Sequence, residues 1–150
     1  SKERFVYEGI PTFAPEHFAR VRQVDTMKRK QFVKGINQIA QEGAIQIFQE
    51  YNTGMEEIIV GVVGVLQFDV LKYRLENEYK VEIRLENLPY EYIRWIENEE
   101  IDLDKLTGTS DMKKVKDLKG RPLLLFVNEW SIRMTIDRND GLKLTEFGRS

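Results

Sequence analysis

The order of strand-type and helix-type periodicities between residues 16 and 89 constrains the fold more than any other feature of this sequence. Residues Glu16 to Val24 alternate apolar and polar positions, which is typical of a half-buried strand. Asp25 is suited to an N-cap, and from there apolar residues return at helical spacing as far as Gly43, a residue that favours a helix end. This part of the chain therefore predicts a strand followed by an amphipathic helix.

A hairpin, a second helix and a fourth strand are predicted next. The stretches Ala44 to Tyr51 and Glu57 to Val63 are rich in β-forming residues and flank turn-forming ones, which indicates a hairpin whose second strand is central. Apolar residues return at helical spacing from Val65 to Tyr79, and Lys80 to Glu86 alternates between apolar and charged. The order β-α-β-β-α-β predicts an α+β fold, the ferredoxin-like split sandwich, with two helices on one face of a four-stranded antiparallel sheet.

The last third of the chain predicts a smaller α/β extension. Tyr92 to Ile96 has the composition of a strand, Leu123 to Val127 is apolar throughout, and Asn128 can cap a short helix that ends at Asn139-Asp140-Gly141. We therefore expect three parts: residues 1–15 as a linker or exit from a preceding module, residues 16–89 as the ferredoxin-like core domain, and residues 90–150 as a C-terminal extension packed on the core.

The composition excludes several kinds of catalytic site. There is no cysteine, so disulfides, thiolate zinc sites and a cysteine nucleophile are all excluded. The phosphate-cradling motif G-x-x-x-x-G-K-[ST] is absent, and a single histidine, His17, leaves no His-based metal cluster or nucleophile-base pair. The longest nearly apolar run, Ile58 to Leu66, is too short to cross a bilayer. We expect no catalytic, cofactor or metal site in this chain and no membrane partner.

A run of basic residues is the strongest functional signal. The net charge of the chain is only -2, yet six lysines and arginines fall within fifteen residues whose only acid is Asp25. These six residues are Arg20, Arg22, Lys28, Arg29, Lys30 and Lys34. Phosphate contacts need positively charged side chains, so the run predicts an RNA-facing patch. An ordinary solvated helix face would have the same composition, and the sequence leaves both interpretations open.

Two other segments have weaker functional patterns. A second basic cluster, Lys113 to Arg121, fits a solvated loop better than a binding surface. The spacing Gly61-Val62-Val63-Gly64 is that of loops that clamp nucleotides in KH modules, but its two valines offer no group to a phosphate. We expect instead that these glycines let a buried strand turn tightly into the second helix.

Three long segments carry a resemblance to a known family. They are GIPTFAPEHFARV (Gly9 to Val21), KGINQIAQEGAIQIF (Lys34 to Phe48) and IVGVVGVLQFDVLKYRLENEY (Ile59 to Tyr79). In this order they resemble the C-terminal domain of bacterial class II peptide-chain release factors. The related domain of elongation-factor translocases has a motif similar to GELHLEV. Here that motif is GVLQFDV (Gly64 to Val70), in which Gln67 replaces the histidine, and this departure favours the release factors.

The resemblance implies a role in translation termination in the cytoplasm. It implies a GTPase domain and a β-barrel upstream, with residues 1–15 as the exit from the β-barrel and with GTP and magnesium bound only in that GTPase domain. This chain would then be a non-catalytic domain that docks on the small ribosomal subunit, on rRNA and ribosomal protein, while the whole protein dissociates class I release factors. The alternative is a small-molecule regulatory domain of an enzyme, because the same fold also serves that purpose.

Overall fold

A computed structural model describes residues 14–50, 57–100 and 102–146, so nearly all of the expected linker lies outside the described residues. The strands are β1 (His17–Gln23), β2 (Gln46–Glu50), β3 (Glu57–Val62), β4 (Ile83–Leu88), β5 (Tyr92–Ile96), β6 (Met112–Asp117), β7 (Pro122–Phe126) and β8 (Leu144–Thr145). The helices are α1 (Arg29–Gln41), α2 (Leu66–Glu78) and α3 (Glu129–Arg138), with short 3-10 turns at Thr26–Lys28 and Leu103–Lys105. The predicted order β-α-β-β-α-β is confirmed.

The first half of the sheet has the ferredoxin-like strand order β4-β1-β3-β2, and all of its pairs are antiparallel. Strand β3 lies between β1 and β2, as predicted for the second strand of the hairpin. Helices α1 and α2 cover one face, where Phe32 and Ile36 of α1 and Leu71 of α2 pack with Ala19 and the apolar residues of the neighbouring strands. The prediction of an α+β ferredoxin-like sandwich is therefore confirmed.

The sheet does not end after four strands as expected. Strand β2 pairs with β6 in antiparallel register, Phe48 opposite Asp117, and the sheet continues through β7 and β5 to β8. The described part of the chain thus contributes eight strands to one sheet. The sequence pattern does not predict β6, because its lysines favour a solvated loop. It pairs in register with β2 and β7 and buries Val115, so its backbone hydrogen bonds and this one apolar side chain hold a lysine-rich strand in the sheet.

The second half of the sheet covers the helix-free face of the first half. Phe18, Phe48 and Ile59 are fully buried on that face, and the rings of Phe18 and Phe48 lie 6.2 Å apart between centroids. They belong to one apolar cluster with residues of β5, β6 and β7, namely Ile93, Trp95, Val115, Leu123 and Leu125. Helix α3 covers the opposite face of the second half, where Ile132 packs with Leu124 and Phe126. The result is four layers in the order helix, sheet, sheet, helix.

The helices begin and end where the sequence suggests. The Asp25 carboxylate accepts a hydrogen bond from the Met27 backbone N–H at 2.9 Å and caps the 3-10 turn that leads into α1. Gly43 has a φ of 89°, the left-handed conformation that closes many helices. Asn128 caps α3 by accepting from the Ser131 backbone N–H at 2.9 Å. Each of these signals is local, which explains why it can be identified without tertiary information.

Three glycines have different structural roles. A Cβ on Gly61 would lie 2.8 Å from two side-chain atoms of Pro15, so this strand glycine permits a close approach rather than a turn. A Cβ on Gly64 would meet no atom within 4 Å, and the φ of Gly64 is not positive. The turn into α2 therefore does not require a glycine at this position, contrary to expectation. Gly35 was not singled out from the sequence, yet a Cβ there would lie 2.8 Å from Leu75 and Tyr79. Gly35 therefore allows α1 and α2 to pack closely.

Candidate nucleic-acid interface

Arg20 and Arg22 lie on the face of β1 that points away from α1 and α2. Their neighbours Ala19 and Val21 belong to the helix-covered core, and successive strand residues point to opposite faces. The Arg20 side chain is only 16% exposed; its guanidinium donates to the Glu50 carboxylate and lies 3.5 Å from Glu86. Arg22 is exposed, 3.8 Å from the same Glu86. Carboxylates of the domain itself therefore engage both arginines.

Glu50 joins strands from the two halves of the sheet. Its carboxylate accepts from Arg20 in β1 and lies 3.3 Å from the Nζ of Lys113 in β6. Burial by itself raises the pKa of the Glu50 carboxyl, but the hydrogen bonds and charges of Arg20 and Lys113 outweigh it and hold that pKa below its ordinary value. The hydrogen bond from Arg20 to Glu50 raises the pKa of Arg20 against the effect of burial. The charges of this cluster are mutually compensated inside the molecule.

Four of the six basic residues lie in the first half of α1 and in the 3-10 turn before it. Lys30 and Lys34 are exposed and one helical turn apart, and Arg29 is partly exposed at the first position of α1. Lys28 lies just before them and donates from Nζ to the Lys80 carbonyl at 3.0 Å. Within the described residues, Arg29, Lys30 and Lys34 make no ion pair. We call these three residues the α1 basic surface.

The start of α1 concentrates positive charge at the positive end of a helix dipole. The first turn of α1, where Arg29 and Lys30 lie, has no acidic residue, and Lys28 at the cap position makes no side-chain capping hydrogen bond. The acid nearest to this turn in the sequence is Asp25, which caps the preceding 3-10 turn. Each cation placed there costs about 0.3–1 kcal/mol, because a helix N-terminus favours negative charge. An external anion such as a phosphate would offset this cost.

The structure therefore divides the run of six residues predicted as one patch. Arg20 and Arg22 lie on one face of the sheet, whereas Lys28, Arg29, Lys30 and Lys34 lie on the helical side. Whether any of them contacts RNA stays a prediction. The geometry leaves the α1 basic surface as the part that an external phosphate can reach without displacing an internal carboxylate.

The second basic cluster lies on the β6–β7 hairpin, so its assignment to a loop was wrong. Lys113 pairs with Glu50, Lys114 donates from Nζ to the Leu106 carbonyl at 3.0 Å, and Arg121 pairs with Asp117 at 2.7 Å. Most of these cations have partners inside the domain. They stabilise the hairpin and its junction with β2.

Across residues 14–50, 57–100 and 102–146, no group of three or more His, Cys, Asp or Glu side chains is arranged to hold a metal ion. His17 is the first residue of β1, and its side chain is exposed. None of the helices in these ranges has the length and apolar composition needed to span a membrane.

One surface feature of α2 was missed in the sequence. Phe68, Leu71 and Leu75 form the buried stripe of α2, and Leu66, Val70 and Tyr73 form a second apolar stripe on the exposed side. Their spacing of four and three residues is also helical, so the signal was present. A helical projection of all the apolar residues of α2 would have shown two stripes on opposite sides.

Fold and surface together define an extended ferredoxin-like α+β domain with a basic outer helix. Residues 7–136 match the family described as class II release factor RF3, C-terminal domain, and the chain belongs to that family. It is 48% identical over 140 residues to peptide chain release factor 3 of Symbiobacterium thermophilum. It is 43% identical over 145 residues to the protein of the same name in Lactobacillus acidophilus, and 42% identical over 143 residues to that of Nostoc punctiforme. The resemblance found in the sequence is confirmed.

These alignments cover most of this chain but a minor part of each relative. The match to the Symbiobacterium protein includes 93% of this chain and 26% of the relative, and the match to the Lactobacillus protein includes 97% and 27%. The chain thus spans about a quarter of the length of the curated relatives it matches. Activities of the whole protein therefore enter below only as proposals.

Proposed function

We propose that this chain is a non-catalytic ribosome-docking domain of a translational GTPase that dissociates class I release factors during translation termination. GTP and magnesium would bind in a GTPase domain outside this chain. The proposed partners are the small ribosomal subunit, through rRNA and ribosomal protein, and the β-barrel and GTPase domains of the same protein. The class I factor would be affected indirectly, on the ribosome.

The observation that carries this proposal is the α1 basic surface on a domain of this family. Arg29, Lys30 and Lys34 are accessible cations without an internal ion pair among the described residues, at a helix end whose dipole also favours an anion. Phosphate groups of rRNA supply negative charge in a form that needs no base-specific contact. The packed domain fixes the backbone positions of these three residues, so docking has to order only their side chains.

The experiment is a charge reversal in the full-length protein. Replacing Arg29 and Lys30 together by glutamate should weaken ribosome binding and flatten its dependence on salt. Each phosphate contact removed should lower the slope of log K against log salt by about 0.7–0.9. Binding measured by co-sedimentation with ribosomes over a range of potassium concentrations would give this slope.

A matched control changes the total charge equally at another place. Lys119→Glu with Arg133→Glu reverses two exposed cations on the β6–β7 turn and on α3. We expect the control to keep most of the affinity and the original slope. If the Arg29 and Lys30 variant keeps the original salt slope, or if both variants lose binding equally, the α1 basic surface is not the docking site.

A further inference from the structure

The exposed side of α2 and the turn before it form an apolar surface that none of the residues described by the structure covers. Leu66 is 72% exposed, Tyr73 66% and Val65 56%, and Val63 and Val70 are also exposed. Scattered apolar residues are normal on protein surfaces, but these five fall within eleven consecutive residues and three lie on one helical stripe. We call Leu66, Val70 and Tyr73 the α2 outer stripe.

A cleft adjoins the N-terminal end of this stripe. It has a volume of about 700 Å³ and lies between the start of α2, the start of β1 and the segment that joins β4 to β5. Val65 and Phe68 contribute apolar walls from the helix side. The carboxylates of Glu16, Asp69 and Glu91 line the cleft, and none of its described lining residues is a lysine or arginine. The cleft is therefore both partly apolar and acidic.

We propose that the α2 outer stripe and this cleft bind a basic segment of a partner protein that carries an apolar anchor residue. The carboxylates complement lysine or arginine side chains of that segment, and the stripe and the cleft walls accept its apolar anchor. The same carboxylates repel phosphate, which makes an RNA occupant unfavourable at this place. The chemistry thus differs from that of the α1 basic surface, and this docking site goes beyond the proposed function.

The test uses the full-length protein and a short fluorescent peptide that alternates lysine and leucine. A second peptide with glutamate in place of every lysine keeps the apolar residues and reverses the charge. The lysine peptide should bind, with an affinity that falls as salt rises, and the glutamate peptide should not. Fluorescence anisotropy measures both affinities.

Two sets of variants locate the binding site. Leu66→Ser combined with Val70→Ser should raise the Kd of the lysine peptide about tenfold or more, because two apolar contacts are lost. Asp69→Asn should raise it about two- to fivefold, as expected for one exposed charge pair. Helix α3 supplies the matched control for charge, since Glu129 also lies in a first helical turn, and Glu129→Gln should leave the Kd unchanged. Leu118→Ser, on the exposed β6–β7 turn, controls for loss of an apolar side chain.

Several results would overturn the proposal. One is equal binding of the two peptides; another is an unchanged affinity in both the Leu66, Val70 variant and the Asp69 variant. A loss of equal size in the Glu129 control would assign the effect to general charge. If sedimentation shows a dimer that the Leu66, Val70 variant converts to a monomer, the stripe binds a second copy of the chain instead. The Asp69 variant keeps the test valid if the double variant is poorly folded, because it leaves the apolar residues in place.

Discussion

The two helices on the same face of the sheet differ on the side that faces outward. Helices α1 and α2 each have thirteen residues and pack side by side over β4, β1, β3 and β2. The outer side of α1 carries lysine and glutamine, whereas that of α2 carries the α2 outer stripe. Folding requires only the inner side of each helix to be apolar. The difference between the outer sides therefore points to binding rather than to stability.

The two helices are also joined at their exposed surface by one arginine. Arg74 of α2 donates to both oxygens of Glu42, directly after α1, and to Glu78 one turn further along α2. Its hydrogen bonds with Glu42 and then with Glu78 raise the pKa of Arg74, and the same arginine lowers the pKa of Glu42. This arginine therefore links the C-terminal parts of the two helices, and elsewhere their outer sides differ in composition.

The sharpest test of this comparison replaces adjacent residues on opposite sides of α2. Leu71 is fully buried and Val70 is exposed. Leu71→Ala should lower the free energy of unfolding by about 2–5 kcal/mol, because it removes buried methyl groups and leaves a cavity. Val70→Ala should change it by no more than about 0.5 kcal/mol. Urea unfolding followed by circular dichroism measures both; a large loss for Val70→Ala would show that the outer stripe serves the fold.

The close approach of α1 to α2 can be tested with two glycines. Gly35→Ala places a methyl group 2.8 Å from Leu75 and Tyr79 and should cost about 1–3 kcal/mol of stability. Gly64→Ala meets no atom within 4 Å and should be neutral or stabilising by about 0.4–1 kcal/mol, since it restricts the unfolded chain. Thermal unfolding of both variants gives the comparison. Equal effects would mean that the helices can separate to admit a methyl group.

The acid dependence of stability should differ between a partly buried carboxylate, that of Glu50, and an exposed one, that of Glu42. The pKa of Glu50 in the folded protein lies below its ordinary value of 4.5. The ionised carboxylate therefore stabilises the fold fully above pH 4.5, and this stabilisation is lost as the pH falls through the lower folded-state pKa. Glu50→Gln should cost about 1–3 kcal/mol at neutral pH and remove this part of the acid sensitivity. The pKa of Glu42 is also lowered, but its carboxylate is exposed to solvent. Glu42→Gln should therefore change the dependence of stability on pH much less. Urea unfolding between pH 3 and pH 7 separates the two, and similar profiles for both variants would contradict the expectation.

The smallest expected effect concerns the start of α1. Lys30→Glu puts an acid into a first turn that has none, and it should raise stability by about 0.3–1 kcal/mol through the helix dipole. Lys34→Glu lies beyond the first turn and should have less effect. Chemical unfolding at low salt is the suitable measurement. A loss of stability with Lys30→Glu would show that this lysine has a structural partner.

The sequence predicted those parts of the fold whose signals are local. The alternation in β1, the apolar stripe of α1 and the caps at Asp25 and Asn128 depend on neighbours a few residues away. The continuation of the sheet through β6 was missed. Lys113 of this strand has its ionic partner, Glu50, far away in the sequence, and no local pattern shows that pair. Propensity alone assigns such lysine-rich segments to loops.

The candidate site was predicted in part, for the same reason. The α1 basic surface follows directly from the run of lysines and arginines and from helical spacing. The burial of Arg20 does not, since it depends on Glu50 and Glu86, which come from two other strands. A basic residue in a strand next to a hydrophobic one can face either layer, and only the pairing of strands determines which carboxylates it meets.

Strand β1 serves two different layers with alternate residues, and this limits how the domain can change in length. Ala19 and Val21 face the helices, while Phe18 and Arg20 face the second half of the sheet. Deleting one residue within β1 would exchange these sets, burying a guanidinium under the helices and removing Phe18 from its cluster. Natural variants should therefore differ here by replacement of single side chains and not by insertion or loss of residues.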